Sequence, residues 1–296
     1  MHGYFGGRGL QRRDTPVSQS ERTAMTAVRS AVAALLLLGN AASQSQPPPA
    51  ATGSMPFAVG EKLVYHVEWS PPWYLFFLPT MDAGEAELSV AAETLHKEKK
   101  AIKIIFNARS SGTLVKLTGV KIDDHFEFLT NAETLCTFSV TKKVREGKRK
   151  RDIDVVYHPE KKSLHIREVD VAAVPPKMRR DELVEDIPEC VQDIFSALYS
   201  VRRRELGAGI SHRSLVGDND RVKEVVVRVE TKEVIETPKG SYETWRINTV
   251  AVLGGLFRAG GEFRIWLTTD HRRLPVQFEA KASLGKVSGK LKESYP

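Results

Sequence analysis

The sequence is short of cysteine, and no apolar run in it is long enough to cross a bilayer. Its only cysteines are Cys136 and Cys190. Two thiols alone cannot complete a structural zinc site or build the dense disulfide framework of a small secreted domain. The unbroken apolar run Ala31-Val-Ala-Ala-Leu-Leu-Leu-Leu38 has eight residues, against the roughly 20 that a spanning helix requires. An excess of one charge sign is also missing. The formal net charge is +7, and without residues 1–43 it falls to +4, with 39 basic and 35 acidic residues. That balance gives no argument for nucleic acid as a partner. Familiar catalytic signatures are absent too. There is no Gly-x-Ser-x-Gly elbow, no phosphate-cradling loop ending in Lys-Ser/Thr, and no His-Glu-x-x-His helix. The eight histidines are scattered, with none paired at metal-ligand spacing. The sequence therefore names no catalytic residue, metal ligand or cofactor.

What is present begins at the N-terminus. Met25 to Arg29 supplies a short basic start, the run at residues 31–38 follows, and Gly39, Ala41, Ala42 and Ser43 are small. This is the layout of a secretory signal peptide cleaved near Ala42 or Ser43. A single membrane anchor or a buried helix is the competing reading. Residues 1–24 are polar and glycine-rich, so Met25 is expected to be the true start. No Cys follows the run, which argues against lipid attachment there. Residues 44–56, with Pro47, Pro48 and Pro49, read as a disordered linker. A single β-rich domain is expected over 57–296, with no transmembrane span in the mature chain and an exported, periplasmic or outer-envelope location.

Within that region apolar residues recur mostly with period two, the strand signal. Leu63, Tyr65, Val67 and Trp69 share one face, as do Ala86, Leu88 and Val90, and Cys136, Phe138, Val140 and Val144. Residues 158–162 and 270–273 read as turns. The period changes once: Val191, Ile194, Phe195, Leu198 and Val201 follow helical spacing. The expected helix covers 189–201, with Asp186 as a plausible N-cap and Pro188 in the first turn. Cys190 would then lie in its first turn, and in an exported chain a Cys136–Cys190 disulfide would staple helix to sheet. A dozen or so short strands predict an all-β, mainly antiparallel fold: a curled, spiral or barrel-like sheet with one main helix.

Several segments resemble the bacterial domain-of-unknown-function family 3108. They are Phe57-Ala-Val-Gly-Glu61-Lys-Leu-Val-Tyr65, Ala83-Gly-Glu-Ala86, Asp193-Ile-Phe-Ser-Ala-Leu-Tyr199 with Val201-Arg202, Thr237-Pro-Lys-Gly240, and Ile265-Trp-Leu267 with residues 270–275. The resemblance implies an exported, all-β envelope protein with no established activity, and it brings no catalytic residues with it. This chain departs from the family pattern in a longer aromatic segment near residues 69–79 and in its cysteine pair.

Two features suggest a role. Trp69, Trp73, Tyr74, Phe76 and Phe77 place five aromatic rings within nine positions, among Pro71, Pro72 and Pro79. Prolines at that density exclude a central strand, and exposed rings on a loop suit a lipid surface, an acyl chain or a partner protein. The plain alternative is a loop folded back to plug an open sheet. Lys142, Lys143, Arg145, Lys148, Arg149, Lys150 and Arg151 surround Gly147 with one carboxylate among them. A basic hairpin tip could meet anionic headgroups or acidic glycans, or it could be only a solvated turn. Asp123, Asp124, His125, Glu185, Asp186, Glu189, Asp193, Asp270 and His271 are the acid/base candidates, each with a structural explanation in turns, strand edges or helix starts. The expectation is a non-catalytic envelope protein that binds a lipid-like or glycan ligand, or a protein partner. The alternative is a cell-wall glycan hydrolase using dispersed carboxylates.

Overall fold

A computed structural model describes residues 55–75, 77–249, 262–282 and 285–296. Residues 1–54, on which the expected signal peptide and most of the expected linker fall, and Phe76 lie outside the described residues. Fourteen strands form one sheet: β1 (Lys62–Ser70), β2 (Met81–His96), β3 (Lys99–Ser110), β4 (Asp123–Asn131), β5 (Thr137–Glu146), β6 (Arg149–His158), β7 (Ser163–Asp170), β8 (Lys177–Val184), β9 (Ser211–Asp218), β10 (Arg221–Thr237), β11 (Gly240–Thr249), β12 (Glu262–Thr268), β13 (Pro275–Ala282) and β14 (Gly285–Tyr295). Among the described residues there are two α-helices, α1 (Gly112–Thr118) and α2 (Ile194–Arg202). No helix there is long and apolar enough to cross a membrane.

The strands pair antiparallel with their chain neighbours, and β1 also pairs with β14, so the order runs from β8 back to β1, then from β14 back to β9. The sheet curls without closing, and β8 and β9 are its edges. Gln192 bridges parallel to Val216 in β9, and Thr137 N–H of β5 donates to the Val191 carbonyl at 2.8 Å. Arg180 of β8 reaches Asp220 beyond β9 at 2.9 Å. The extended segment thus ties β9 to β5, and the Arg180–Asp220 ion pair links the edge strand β8 to the turn after β9.

Alternation decides the core. Leu63, Tyr65, Ala86, Leu88, Val90, Ile104, Val155 and Ile166 all point into the curl and are buried. A smaller cluster, Val201, Val229, Ile247, Ile265 and Leu267, forms where α2 meets β10–β12.

Two local expectations need correction. Phe138 does not join Val140 and Val144, because a register shift between Leu129 and Thr130 falls opposite it. Thr137 takes the inward place, and Phe138 stacks on His96 at 4.7 Å. The main helix starts at Ile194, not near residue 189. Asp193 caps it, accepting from the Phe195 and Ser196 backbone amides at 2.8 and 2.9 Å, and Ser196 returns the bond to complete a capping box. Val191 and Gln192 stay extended because their backbone groups are committed to β5 and β9. Cys190 lies before the helix in that extended stretch, and the disulfide to Cys136 is present.

Candidate functional site

In an antiparallel meander every second connection falls at the same end. From β1 to β8, residues 71–80, 111–122, 146–148 and 171–176 therefore emerge at one end. The connections at 97–98, 132–136 and 159–162 emerge at the other, together with Glu61 and α2.

The first end holds the aromatic segment. Pro71 and Pro72 stop β1 from continuing, and residues Trp73–Leu75 form a 3-10 turn. Leu75 N–H donates to the Pro72 carbonyl and Leu78 N–H to Leu75, both at 2.9 Å. Ser70 and Thr80 hydroxyls meet at 3.0 Å and pinch the base. Beside it sits α1, ended by Gly119 in the left-handed region at φ 69. Gly84 of β2 lets the end of β3 that leads into α1 come close: a Cβ there would lie 2.0 Å from the Arg109 carbonyl oxygen. Between the two connections lies an apolar cleft of about 340 Å³, lined by Trp69, Tyr74, Leu75, Leu78, Leu114 and Leu117, with Pro72 and Thr118. That volume is at the small end of ligand sites, which span roughly 300–1,000 Å³. Around its mouth Trp73 is 86% exposed, Phe77 67% and Leu117 63%.

The basic turn adjoins this cleft through α1. Gly147 N–H donates to the Lys121 carbonyl at 2.7 Å, and Ile122 bridges to Glu146. Two features about 70 residues apart in sequence are thereby brought to one end. Four of the seven cations are engaged. Lys142 donates to Asp218 and Asn219 at 3.2 and 3.0 Å, Arg145 pairs with Asp152 and Arg149 with Glu146, and Arg151 with Glu168 and Asp170. Lys143, Lys148 and Lys150 are exposed and have no ion pair among the described residues. The α1 residues Leu114 and Leu117 were not anticipated. Their only sequence signal is a short apolar stretch between Gly112 and Gly119.

The opposite end is a buried polar knot. Arg202 of α2 is fully buried, and Glu61 is 3% exposed. The guanidinium donates to both Glu61 carboxylate oxygens at 2.6 and 2.8 Å, and to the Pro56 and Arg272 carbonyls at 3.0 Å. Burial works against the Arg202 charge, but Glu61 offsets it and the pKa moves up. Tyr199 donates to Glu61 at 3.1 Å and Tyr65 to the Pro275 carbonyl at 2.7 Å. Burial raises both phenols. Arg202 also lies over the rings of Phe57 and Tyr199. Phe57, Glu61, Tyr65, Tyr199, Arg202 and Pro275 come from segments that carry the family resemblance, and they converge here.

The acid/base candidates occupy structural positions. Asp193 is the buried helix cap, its pKa raised by burial. Asp270 accepts from the Thr268 hydroxyl at 2.6 Å and the Arg273 backbone at 3.1 Å, closing the β12–β13 turn. Asp123 pairs with Arg109, Asp124 accepts from Arg145 N–H at 2.6 Å, and His125 lies between Asn107 and Glu127. Glu189 pairs with Lys162, and Glu185 and Asp186 are exposed in the turn after β8. Among the described residues no group of three His, Cys, Asp or Glu side chains could hold a metal. A second, polar cleft of about 460 Å³ is lined by Glu68, Gln277, Glu279, Lys286 and Lys290 among others. Glu279 there is engaged by Lys286 at 3.0 Å.

The chain belongs to the family described as a protein of unknown function (DUF3108), which matches over residues 64–292. No curated protein matches it in sequence. Among solved structures it is similar to a β-barrel-like protein of the domain of unknown function DUF1849 from Brucella abortus, at 10% identity and a TM-score of 0.53, over 80% of this chain and 97% of that one. At that identity the likeness speaks for the fold alone. A candidate exported protein with a YmcC-like fold from Bacteroides fragilis is similar at 8% identity and a TM-score of 0.32, over 82% of this chain and 98% of that one. Nothing is argued from it.

Proposed function

We propose that this DUF3108 protein is an exported, non-catalytic component of the cell envelope that binds a lipid-like ligand in the cleft between the aromatic segment and α1. The observation that carries the reading is the cleft itself. Aromatic and aliphatic side chains from two separate connections converge on one groove, its lining residue Leu117 is exposed, and so is Trp73 in the same aromatic segment. Apolar surface left in water at a concave site is a characteristic of ligand sites. A curled sheet braced at its other end is a rigid platform for such a groove. Export follows from the basic start, the apolar run and the small residues at 39–43, and from a disulfide that persists in oxidising compartments.

The test is native mass spectrometry of the full chain, expressed for export and recovered from periplasmic extract. A bound adduct that organic extraction identifies as a lipid is expected. It should disappear in Leu117→Asp, an exposed position where the fold tolerates the change, and when residues 71–78 are replaced by a Gly-Ser link. A clean apo mass that added lysophospholipid does not shift would overturn the reading. So would an adduct that survives both variants. Loss of folding in the Gly-Ser variant would make residues 71–78 a plug for the sheet, and Leu117→Asp would then decide alone.

A further inference from the structure

We infer that the whole end carrying the cleft is a docking surface for an anionic phospholipid bilayer, with the β7–β8 turn as a second apolar tip. This extends the cleft reading from one groove to four connections, and it rests on that reading's view of the end as lipid-facing. The four are continuous. The aromatic segment lines the cleft with α1, the stretch after α1 bonds to the β5–β6 turn, and Val171 N–H of the β7–β8 turn donates to the Lys150 carbonyl at 3.1 Å. Their composition is one-sided. Residues 71–80 and 171–176 carry no charge, the latter reading Val171-Ala-Ala-Val-Pro-Pro176. Residues 111–122 with 146–148 hold three cations, Lys116, Lys121 and Lys148, against Glu146 alone. Glu146 is already paired with Arg149, so the lysines have no counter-charge of their own among the described residues. Val174 is 98% exposed at the tip of its turn.

The other end provides the control. Residues 97–98, 132–136 and 159–162 hold three cations and three carboxylates, and their large apolar side chain, Leu135, is fully buried, while Leu95 at the end of β2 is exposed. Solubility alone therefore does not require exposed apolar tips or a charge excess at connections of this sheet. Exposed apolar tips among uncompensated lysines fit a surface that is apolar inside and negative at its face. Apolar tips enter the acyl boundary while lysines remain at headgroup level. Each lysine near an anionic leaflet contributes roughly 1 kcal/mol.

The test is flotation of the full chain with vesicles of phosphatidylcholine alone and of an equal mixture with phosphatidylglycerol. Binding is expected to the mixed vesicles, to weaken with salt, and to be much weaker on phosphatidylcholine. Lys148→Ala with Lys150→Ala should weaken it about 30-fold, and Val174→Asp about tenfold. Both sites are exposed and lie outside the cleft, so folding and the lipid adduct should remain. Equal binding to both vesicle types, or binding unmoved by these variants, overturns the inference and leaves the cleft reading intact. Charge-dependent binding without any lipid adduct would keep docking and sink the cleft. Sedimentation of the free protein provides a last check: a dimer that Val174→Asp dissociates would assign this end to a second copy of the chain and overturn membrane docking.

Discussion

The two ends of the curled sheet are built from the same kind of connection and hold their charged and apolar side chains differently. At the knot end, charge is buried and matched: Arg202 meets Glu61, Asp193 is wrapped by amides and hydroxyls, and a disulfide ties the segment before α2 to the β4–β5 turn. At the cleft end, Lys143, Lys148 and Lys150 are exposed without an ion pair among the described residues, and Trp73, Phe77, Leu117 and Val174 stand largely in water. The difference teaches where each end's energy resides. A buried polar cluster in which, among the described residues, only the Arg202 Nε is left without a partner holds helix and strands in one arrangement, because each partner depends on the others for its missing hydration. An exposed apolar end contributes little to folding, since its side chains lose almost no water contact when the chain folds. Its gain comes only when something covers it.

The comparison breaks first at Arg202. Arg202→Met leaves Glu61 buried without its partner and is expected to destabilise the protein by roughly 3–5 kcal/mol. Urea denaturation of the purified, disulfide-bonded protein measures it. Coupling it with Glu61→Leu should restore much of the loss, because the orphaned carboxylate goes too. A single variant that costs less than about 1 kcal/mol would mean the knot is dispensable. The disulfide comes next. It closes a loop with a sequence separation of 54 residues, for which the chain-entropy relation gives about 4 kcal/mol. Cys136→Ser with Cys190→Ser should lower the urea midpoint accordingly, without loss of vesicle binding.

A smaller effect sharpens the picture at the base of the β7–β8 turn. Arg179 above all, with Arg151 and the Ala172 amide, holds the Asp170 carboxyl down to about 2 from an ordinary value of 3.8. A depressed folded-state pKa gives stability that is fully present above the ordinary value and fades as pH falls toward about 2. The stability difference between the protein and Asp170→Asn should therefore be constant above about pH 5 and shrink between about pH 4 and pH 2. A carboxyl NMR titration locates the midpoint directly. A difference independent of pH in that window would assign Asp170 a purely geometric role. The smallest expected effect is at the cleft end itself. Leu117→Asp and Val174→Asp should change stability by less than about 0.5 kcal/mol, although the first should remove the lipid adduct and the second should weaken vesicle binding.

Some of this was legible from residue order. The inward alternation of Leu63 with Tyr65 and of Ala86, Leu88 and Val90, the hairpin around Gly147, and the turn at Asp270 all follow from local chemistry. The aromatic segment and the basic run also stand out in residue order, and the proposed role rests on them. The helix start was misplaced because Val191 continues the helical spacing of Ile194 and Leu198, although Asp193 and Ser196 already spell a capping box. Backbone bonds from Val191 and Gln192 to β5 and β9 outweighed the pattern. Phe138 was misread because a one-residue register shift turns a side chain to the other face.

Residue order by itself determined the period-two strands, the single main helix and the cysteine pair available for a bridge, since each depends on near neighbours or on side-chain type alone. Only the tertiary structure decided the rest. Glu61 and Arg202 lie 141 residues apart, and nothing local marks either as more than a surface charge. Their pairing exists because the curl brings the start of β1 under the end of α2, where desolvation makes each charge require the other. The cleft and the basic turn share an end for the same kind of reason: antiparallel pairing sends every second connection to one side of the sheet, whatever the distance along the chain.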